Sequence, residues 1–267
     1  MHDWERMDPA ALDDAYANAA YIPGAEAWPD RWRQSAAAFR ATARAELNIA
    51  YGDAPGAAYD LFRPEGRAHG LVVFVHGGYW RAFDRSDWSH LAAGAVARGW
   101  AVAVMGYPLA PSARIAEITA QVARGIDAAA ARVAGPVRLT GHSAGGHLAA
   151  RMVMPDAAPA CADRIEACLP LSPVADLRPL VAQSLNDDLR LTPEEAASES
   201  PALGTPRPDT RVSVHVGSDE RPAFLWQARG LSQAWAAPLH VAAGRHHFDV
   251  IDALADSDSA MVDDLLA

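Results

Sequence analysis

The chain has 267 residues, and its 23 Lys and Arg against 33 Asp and Glu give a net charge of −10 at pH 7. This length suits one α/β domain with a full hydrophobic core. The acidic balance, without a basic block, argues against nucleic acid or an anionic membrane as a partner. Cys161 and Cys168 are too few for a disulfide framework and lie in no metal-ligand pattern. We expect them to be small buried residues in a reducing compartment.

The N-terminal residues 1–6 are polar and acidic, unlike the basic start and apolar run of a secretory signal. No apolar run approaches the ~18 residues of a membrane span. We therefore expect a cytoplasmic protein.

Residues 10–46 are rich in alanine and predict a helical extension, which we bound at residues 1–46. Two strand candidates follow at 47–51 and 57–62. The Gly, Asp and Pro residues between them predict an antiparallel hairpin at a sheet edge.

Apolar runs of strand length then alternate with helical stretches, which predicts an α/β fold with a mostly parallel, eight-stranded sheet covered on both faces. The predicted strands are 71–75, 101–105, 137–140, 167–171, 212–216 and 239–242, and the predicted helices are 86–98, 115–132, 146–154 and 222–235.

Residues 173–210 interrupt this alternation with six prolines and no clear strand. Thr192 precedes Pro193 and Glu195 in a pattern typical of a helix start. A small cap or lid insert and an ordinary irregular excursion both fit this segment. We expect one domain over residues 1–267.

Residues 141–145 read Gly-His-Ser-Ala-Gly, after an apolar strand and before a helix-like stretch. A sharp strand-to-helix turn exposes a serine hydroxyl, and flanking glycines permit that strained turn. The helix N-terminus also offers unpaired N–H groups. The pattern predicts a nucleophile elbow at Ser143.

Further candidates follow other predicted strands, where the loops of an α/β sheet form its ligand sites. The run 76–80, His-Gly-Gly-Tyr-Trp, has paired glycines that can turn N–H groups inward, and Ala144 offers another. Asp219 and Glu220 are both candidates for the orienting acid. His246 and His247 are both candidates for the base. We expect His2, His69, His90, His215 and His240 to be surface or core residues and expect no metal site, because no ligand spacing recurs.

These motifs together resemble the α/β-hydrolase superfamily, and within it the kynurenine formamidase (arylformamidase) and esterase branch related to the hormone-sensitive-lipase group. The narrower resemblance rests on the run 76–80, which is similar to that branch's His-Gly-Gly-x-Trp motif. The resemblance implies Ser143 as nucleophile, His247 as base, and Gly78, Tyr79 and Ala144 as the oxyanion hole. The family's spacing places its acid at Glu220, although relatives usually carry Asp there, and Asp219 is the fallback.

The resemblance implies a serine hydrolase that removes a small acyl or formyl group from an ester or aryl formamide, without a cofactor. A general short-chain carboxylesterase or thioesterase is the alternative. A non-catalytic binding protein is disfavoured because the serine, histidine and glycines are all present. Trp80, Phe83 and Trp88, with residues of 173–210, are candidates for an apolar substrate pocket, although each aromatic also fits a core position. Whether the enzyme forms a homodimer stays open.

Overall fold

A nine-stranded β-sheet forms the centre of the molecule, which a computed structural model describes over residues 4–267. The first three residues of the acidic N-terminal stretch lie outside the described residues. The strands are β1 (Ala45–Ala50), β2 (Ala58–Phe62), β3 (Leu71–Val75), β4 (Ala101–Met105), β5 (Val137–His142), β6 (Ile165–Leu171), β7 (Arg211–Val212), β8 (Val214–Gly217) and β9 (Leu239–Ala242).

The helices precede, separate and follow these strands. They are α1 (Pro9–Tyr16), α2 (Trp28–Thr42), α3 (Ala93–Ala97), α4 (Ile115–Ala130), α5 (Ala144–Arg151), α6 (Asn186–Leu189), α7 (Pro193–Ser198), α8 (Pro222–Ala234) and α9 (Ala260–Leu266). Within residues 4–267, none of them is long and apolar enough to cross a membrane.

Eight strands follow one another in the order β1-β2-β4-β3-β5-β6-β8-β9, and β7 pairs with β6 beside this path. β2 runs antiparallel to β1 and β4, whereas every pair from β4 to β9 is parallel. The predicted α/β-hydrolase fold and its edge hairpin are therefore confirmed. The strand predicted at 212–216 is divided at Ser213 into β7 and β8.

The continuous apolar runs arise because the sheet is covered on both faces. Successive side chains of a strand point to opposite faces, and in β3 the two sets enter two different cores. Val73 and Val75 belong to one buried cluster, and Val72 and Phe74 belong to the other.

The loops after β3, β5, β8 and β9 emerge at the carboxyl edge of the parallel strands. These loops carry the sequence motifs at 76–80, 143–145, 218–220 and 246–248. The topology therefore brings four distant stretches of chain to one end of the sheet.

The segment 173–210 contains α6, α7 and short 3-10 turns. Thr192 caps α7 as predicted, since its hydroxyl accepts from the Glu195 N–H at 3.2 Å. The segment contacts the N-terminal region, where the Ser184 N–H donates to Asp13 at 2.9 Å. Its interpretation as a cap stays a prediction.

Candidate active site

Ser143 lies at the sharp turn between β5 and α5, with φ 57° and ψ −117°. Such a conformation is strained for a residue with a side chain. Glycines make room for it: a Cβ on Gly141 would lie 2.3 Å from the Gly145 carbonyl oxygen, and a Cβ on Gly145 would lie 2.0 Å from the Val75 carbonyl oxygen. The turn has the geometry of a nucleophile elbow.

Glu220 and His247 come together as a buried pair, with 2.6 Å between Glu220 Oε2 and His247 Nδ1. The other carboxylate oxygen accepts from the Gly217 N–H at 2.8 Å and from the Ser172 hydroxyl. Because both oxygens serve as acceptors, Nδ1 of His247 is the donor, and its Nε2 is left as the basic nitrogen. The Phe224 ring packs 4.3 Å from the imidazole and fixes its plane.

The neighbouring acid and histidine point elsewhere. Asp219 is exposed, and its carboxylate accepts from the Ser218 hydroxyl at 2.7 Å. His246 packs edge-on against Trp28, with 5.3 Å between ring centroids, and its Nδ1 accepts from the Phe248 N–H. The structure thus pairs Glu220 with His247 and leaves Asp219 and His246 outside this contact.

The loop after β3 presents unpaired backbone N–H groups. Gly78 has φ 107°, and a Cβ there would lie 2.4 Å from the Ala82 carbonyl oxygen. No acceptor among residues 4–267 bonds the N–H groups of Gly78, Tyr79 or Ala144. Unpaired N–H groups next to a nucleophile can stabilise the negative oxygen of a tetrahedral intermediate.

Buried aromatic contacts hold this loop in place. The His76 imidazole donates from Nδ1 to the Gly77 carbonyl oxygen at 2.8 Å and stacks on Tyr107 at 4.3 Å. Burial lowers the pKa of His76 below its ordinary value of 6.5, so the ring stays neutral. The Tyr79 hydroxyl donates to the Tyr16 carbonyl oxygen at 2.7 Å, which ties the loop to the N-terminal segment.

Ser143 and His247 line one cavity of about 490 Å³. Within residues 4–267 the Ser143 hydroxyl makes no hydrogen bond, so none joins it to Nε2 of His247, whose ring is bonded through Nδ1 to Glu220. In proteins without bound substrate, catalytic hydrogen bonds are often long and tighten only in the complex. Gly78 and Tyr79 line the same cavity.

Aromatic rings form the apolar wall of this cavity. Trp32 lies 4.5 Å from Trp88, 5.3 Å from Phe248 and 5.7 Å from Phe83, measured between ring centroids. Phe83 and Trp88 therefore line the cavity, as predicted for the substrate pocket, whereas Trp80 does not.

The pocket prediction for Trp80 needs correction. Its side chain is fully buried, packs edge-on against His147 at 5.1 Å and does not line the cavity. Tyr79 and Trp80 both have positive φ, at 49° and 57°, and this turns the Trp80 ring into the core.

The N-terminal segment supplies a wall that sequence reasoning missed. Residues 16–20 and Trp32 line the cavity, whereas no residue of 173–210 does so. Asn18 is 6% exposed, and its Oδ1 has no hydrogen-bond partner within residues 4–267. The available signal was a pair of tryptophans, Trp28 and Trp32, one helical turn apart at the start of α2.

A strained serine at an elbow, a carboxylate–imidazole pair and free N–H groups around one cavity define a serine-hydrolase type of site. Residues 72–248 match a family model described as the alpha/beta hydrolase fold. The chain belongs to the α/β-hydrolase family, and it is an enzyme that catalyses hydrolysis.

Its relatives include kynurenine formamidases. The Danio rerio protein is 28% identical over 97% of this chain and 95% of its own length. The Drosophila melanogaster protein is 31% identical over 71% and 69%, respectively. The chain is therefore similar to kynurenine formamidases within its family.

Solved structures share the fold. A candidate thioesterase from Silicibacter is 50% identical, with a TM-score of 0.94 over 96% of this chain and 99% of that one. An esterase from Pyrobaculum calidifontis, 17% identical over 97% of both chains, has a TM-score of 0.66. At that identity the likeness concerns the fold alone.

Proposed function

We propose that this protein is a cytoplasmic serine hydrolase that removes a formyl group from an aryl formamide such as N-formylkynurenine. Its substrate is a small molecule, and the acyl-enzyme forms on Ser143. His247 is the general base, Glu220 orients it, and the N–H groups of Gly78, Tyr79 and Ala144 bind the oxyanion.

In the first half of the reaction, the Ser143 oxygen bonds to the formyl carbon while its proton moves to Nε2 of His247. The carbonyl oxygen becomes negative and is stabilised by the loop N–H groups. The imidazolium then gives its proton to the leaving nitrogen as the C–N bond breaks. In the second half, His247 takes a proton from water as the water oxygen bonds to the formyl carbon. The bond between that carbon and the Ser143 oxygen then breaks, His247 returns the proton to the serine, and formate leaves.

The observation that carries this proposal is the meeting of the elbow serine, the Glu220–His247 pair and unpaired N–H groups at one cavity. The serine hydroxyl and the loop N–H groups are unbonded within residues 4–267 and are therefore available to substrate. The carboxylate is held by three donors, so it can keep the imidazole in one orientation through both proton transfers.

The choice of an aryl group rests on the cavity wall and on the relatives. Trp32, Trp88, Phe83 and Phe248 offer ring faces and edges to a flat apolar leaving group. Proteins named kynurenine formamidase match this chain over almost its whole length.

A second candidate, a short-chain esterase or thioesterase, is favoured by the 50% identical structure of a candidate thioesterase. An acyl-CoA carries phosphates, which need cations nearby. Arg81 is the only arginine or lysine among the described residues lining the cavity, and its guanidinium already pairs with Asp188 at 2.6 Å. This charge pattern favours a leaving group without phosphates over coenzyme A.

Parallel assays of the purified enzyme on N-formylkynurenine, p-nitrophenyl acetate and an acyl-CoA test the proposal. We expect the highest kcat/KM for the formamide. Rapid ester or thioester cleavage beside a formamide rate at background would assign the protein to the second candidate.

A further inference from the structure

A cluster of metal-ligand side chains lies outside the reaction cavity. His215 on β8 and His240 on β9 are direct partners in the parallel register, so their side chains leave the same face of the sheet. Their imidazoles stack at 4.5 Å. Asp264, on the C-terminal helix α9, reaches both rings with one carboxylate oxygen.

The distances between the three ligand atoms suit one small cation. Asp264 Oδ2 lies 2.7 Å from Nε2 of His215 and 3.9 Å from Nε2 of His240, and all three atoms lie within 4.8 Å of one another. A triangle with these sides has a point about 2.0 to 2.4 Å from every corner, close to the Zn–N and Zn–O bond lengths of about 2.0–2.2 Å.

A neighbouring arginine positions the carboxylate. Arg211 donates from Nη1 to Asp264 Oδ1 at 2.7 Å and from Nη2 to the Asp264 carbonyl oxygen. The guanidinium therefore occupies the oxygen that the imidazoles do not use. Contacts of this kind orient metal ligands in proteins, although the added positive charge lowers the affinity for a cation.

The cluster is open on one side. The His240 side chain is 53% exposed, whereas those of His215 and Asp264 are 9% and 21% exposed. An ion can enter from solvent, and water can complete its coordination. Imidazole and carboxylate ligands suit zinc, whereas calcium and magnesium prefer oxygen alone.

We propose that His215, His240 and Asp264 form a Zn²⁺-binding site that joins helix α9 to the sheet edge at β8 and β9. Bound zinc replaces the proton shared between His215 and Asp264 and links three elements that otherwise meet only through weaker contacts. The sequence predicted no metal site because no ligand spacing recurs along the chain. That reasoning does not take account of strand register, which places His215 and His240 side by side on neighbouring strands.

The test is a Zn²⁺ titration of the chelator-treated, full-length protein against a chromophoric indicator, with the melting temperature as a second readout. We expect one zinc per chain and a Tm increase of about 5 °C at saturating zinc. His240→Ala should weaken zinc binding at least about tenfold and abolish the Tm increase. Because His240 is exposed, this variant should fold and keep its hydrolase activity.

The matched control is His69→Ala, which removes an exposed histidine outside the cluster. It should leave zinc affinity unchanged. The proposal is overturned if the wild-type protein binds no zinc, if His240→Ala binds it as tightly as the wild type, or if His69→Ala loses as much affinity.

Discussion

Two neighbouring cavities of this enzyme contain similar residues, and only one has the arrangement of a reaction site. The larger cavity is about 920 Å³ and the smaller about 490 Å³, and Arg81 and Phe83 line both. Each has a serine, a buried histidine and an amide oxygen that accepts no hydrogen bond from any donor within residues 4–267. These residues are Ser112, His76 and Gln121 in the larger cavity and Ser143, His142 and Asn18 in the smaller.

The difference lies in placement. Ser143 occupies a strained elbow beside unpaired N–H groups and shares its cavity with a histidine held by a carboxylate. Ser112 is exposed on a loop. The Nδ1–H of the nearby His76 donates its hydrogen bond to the Gly77 carbonyl oxygen. Size and residue types therefore do not identify the reaction site, whereas the mutual orientation of its groups does.

The largest expected effect is a difference in kcat between variants of the two serines, Ser143 and Ser112. Ser143→Ala should lower kcat by about 10⁴- to 10⁶-fold, because removing the nucleophile abolishes the covalent route. Ser112→Ala in the larger cavity should retain wild-type turnover. Steady-state kinetics on the best substrate of the three assays measures both, and near-normal turnover by Ser143→Ala would exclude it as nucleophile.

The next largest effect is a difference in kcat between variants of the two adjacent carboxylates, Glu220 and Asp219. Glu220→Gln should lower kcat by about 10³- to 10⁴-fold, since an amide cannot hold the imidazole with the same charge and tautomer. Asp219→Asn should change kcat less than about twofold, because its carboxylate bonds Ser218 and not His247.

Circular dichroism spectra should confirm that both variants fold. A large loss in Asp219→Asn with an active Glu220→Gln would make Asp219 the orienting acid instead.

Much of the fold could be predicted because local pattern and burial agree. β3 and β4 have the predicted bounds, since side chains on both of their faces are buried and every residue is apolar. Ser143 and the candidates for the acid and the base could be placed by their position after strands. Chain order and strand ends left Asp219 or Glu220 and His246 or His247 open, and the choice of Glu220 and His247 came from the resemblance to the family's motifs. The structure pairs these two side chains at 2.6 Å, and their catalytic roles stay a prediction.

The remaining features depend on contacts between distant segments. Trp32 meets Phe248 across the cavity, and nothing in the local sequence of either predicts the other. Trp80 was misplaced because positive φ values, which no pattern of residue types revealed, turn its ring inward. His215, His240 and Asp264 meet through strand register and helix packing, which spacing along the chain does not encode.

A pH experiment compares the buried histidines of the two cavities. Burial holds the pKa of His142 well below 6.5 and also lowers that of His76. Well above pH 6.5 both histidines are neutral in the folded and the unfolded protein, and their effect on stability does not change with pH. As the pH falls through 6.5, the unfolded chain binds protons that the folded chain does not, so the free energy of unfolding falls, with a limiting slope of about 1.4 kcal/mol per pH unit for a histidine that stays neutral in the folded protein.

Urea unfolding at several pH values between 7 and 5 measures this slope. His142→Gln and His76→Gln should each make this pH dependence shallower, His142→Gln more strongly, because the pKa of His142 is held well below 6.5 and that of His76 is only lowered. An unchanged slope in either variant would mean that the histidine is protonated in the folded protein and that its cavity is more polar than its burial indicates.

The smallest expected effect compares the two amides without partners. A buried amide that lacks a hydrogen bond is costly, and a ligand that supplies one regains part of that free energy. Asn18→Ala should therefore raise KM for the preferred substrate about two- to tenfold with little change in kcat. Gln121→Ala, which removes the corresponding group from the larger cavity, should leave both constants unchanged. Equal KM increases in the two variants would show that substrate reaches both cavities and that the boundary at Arg81 and Phe83 does not separate them.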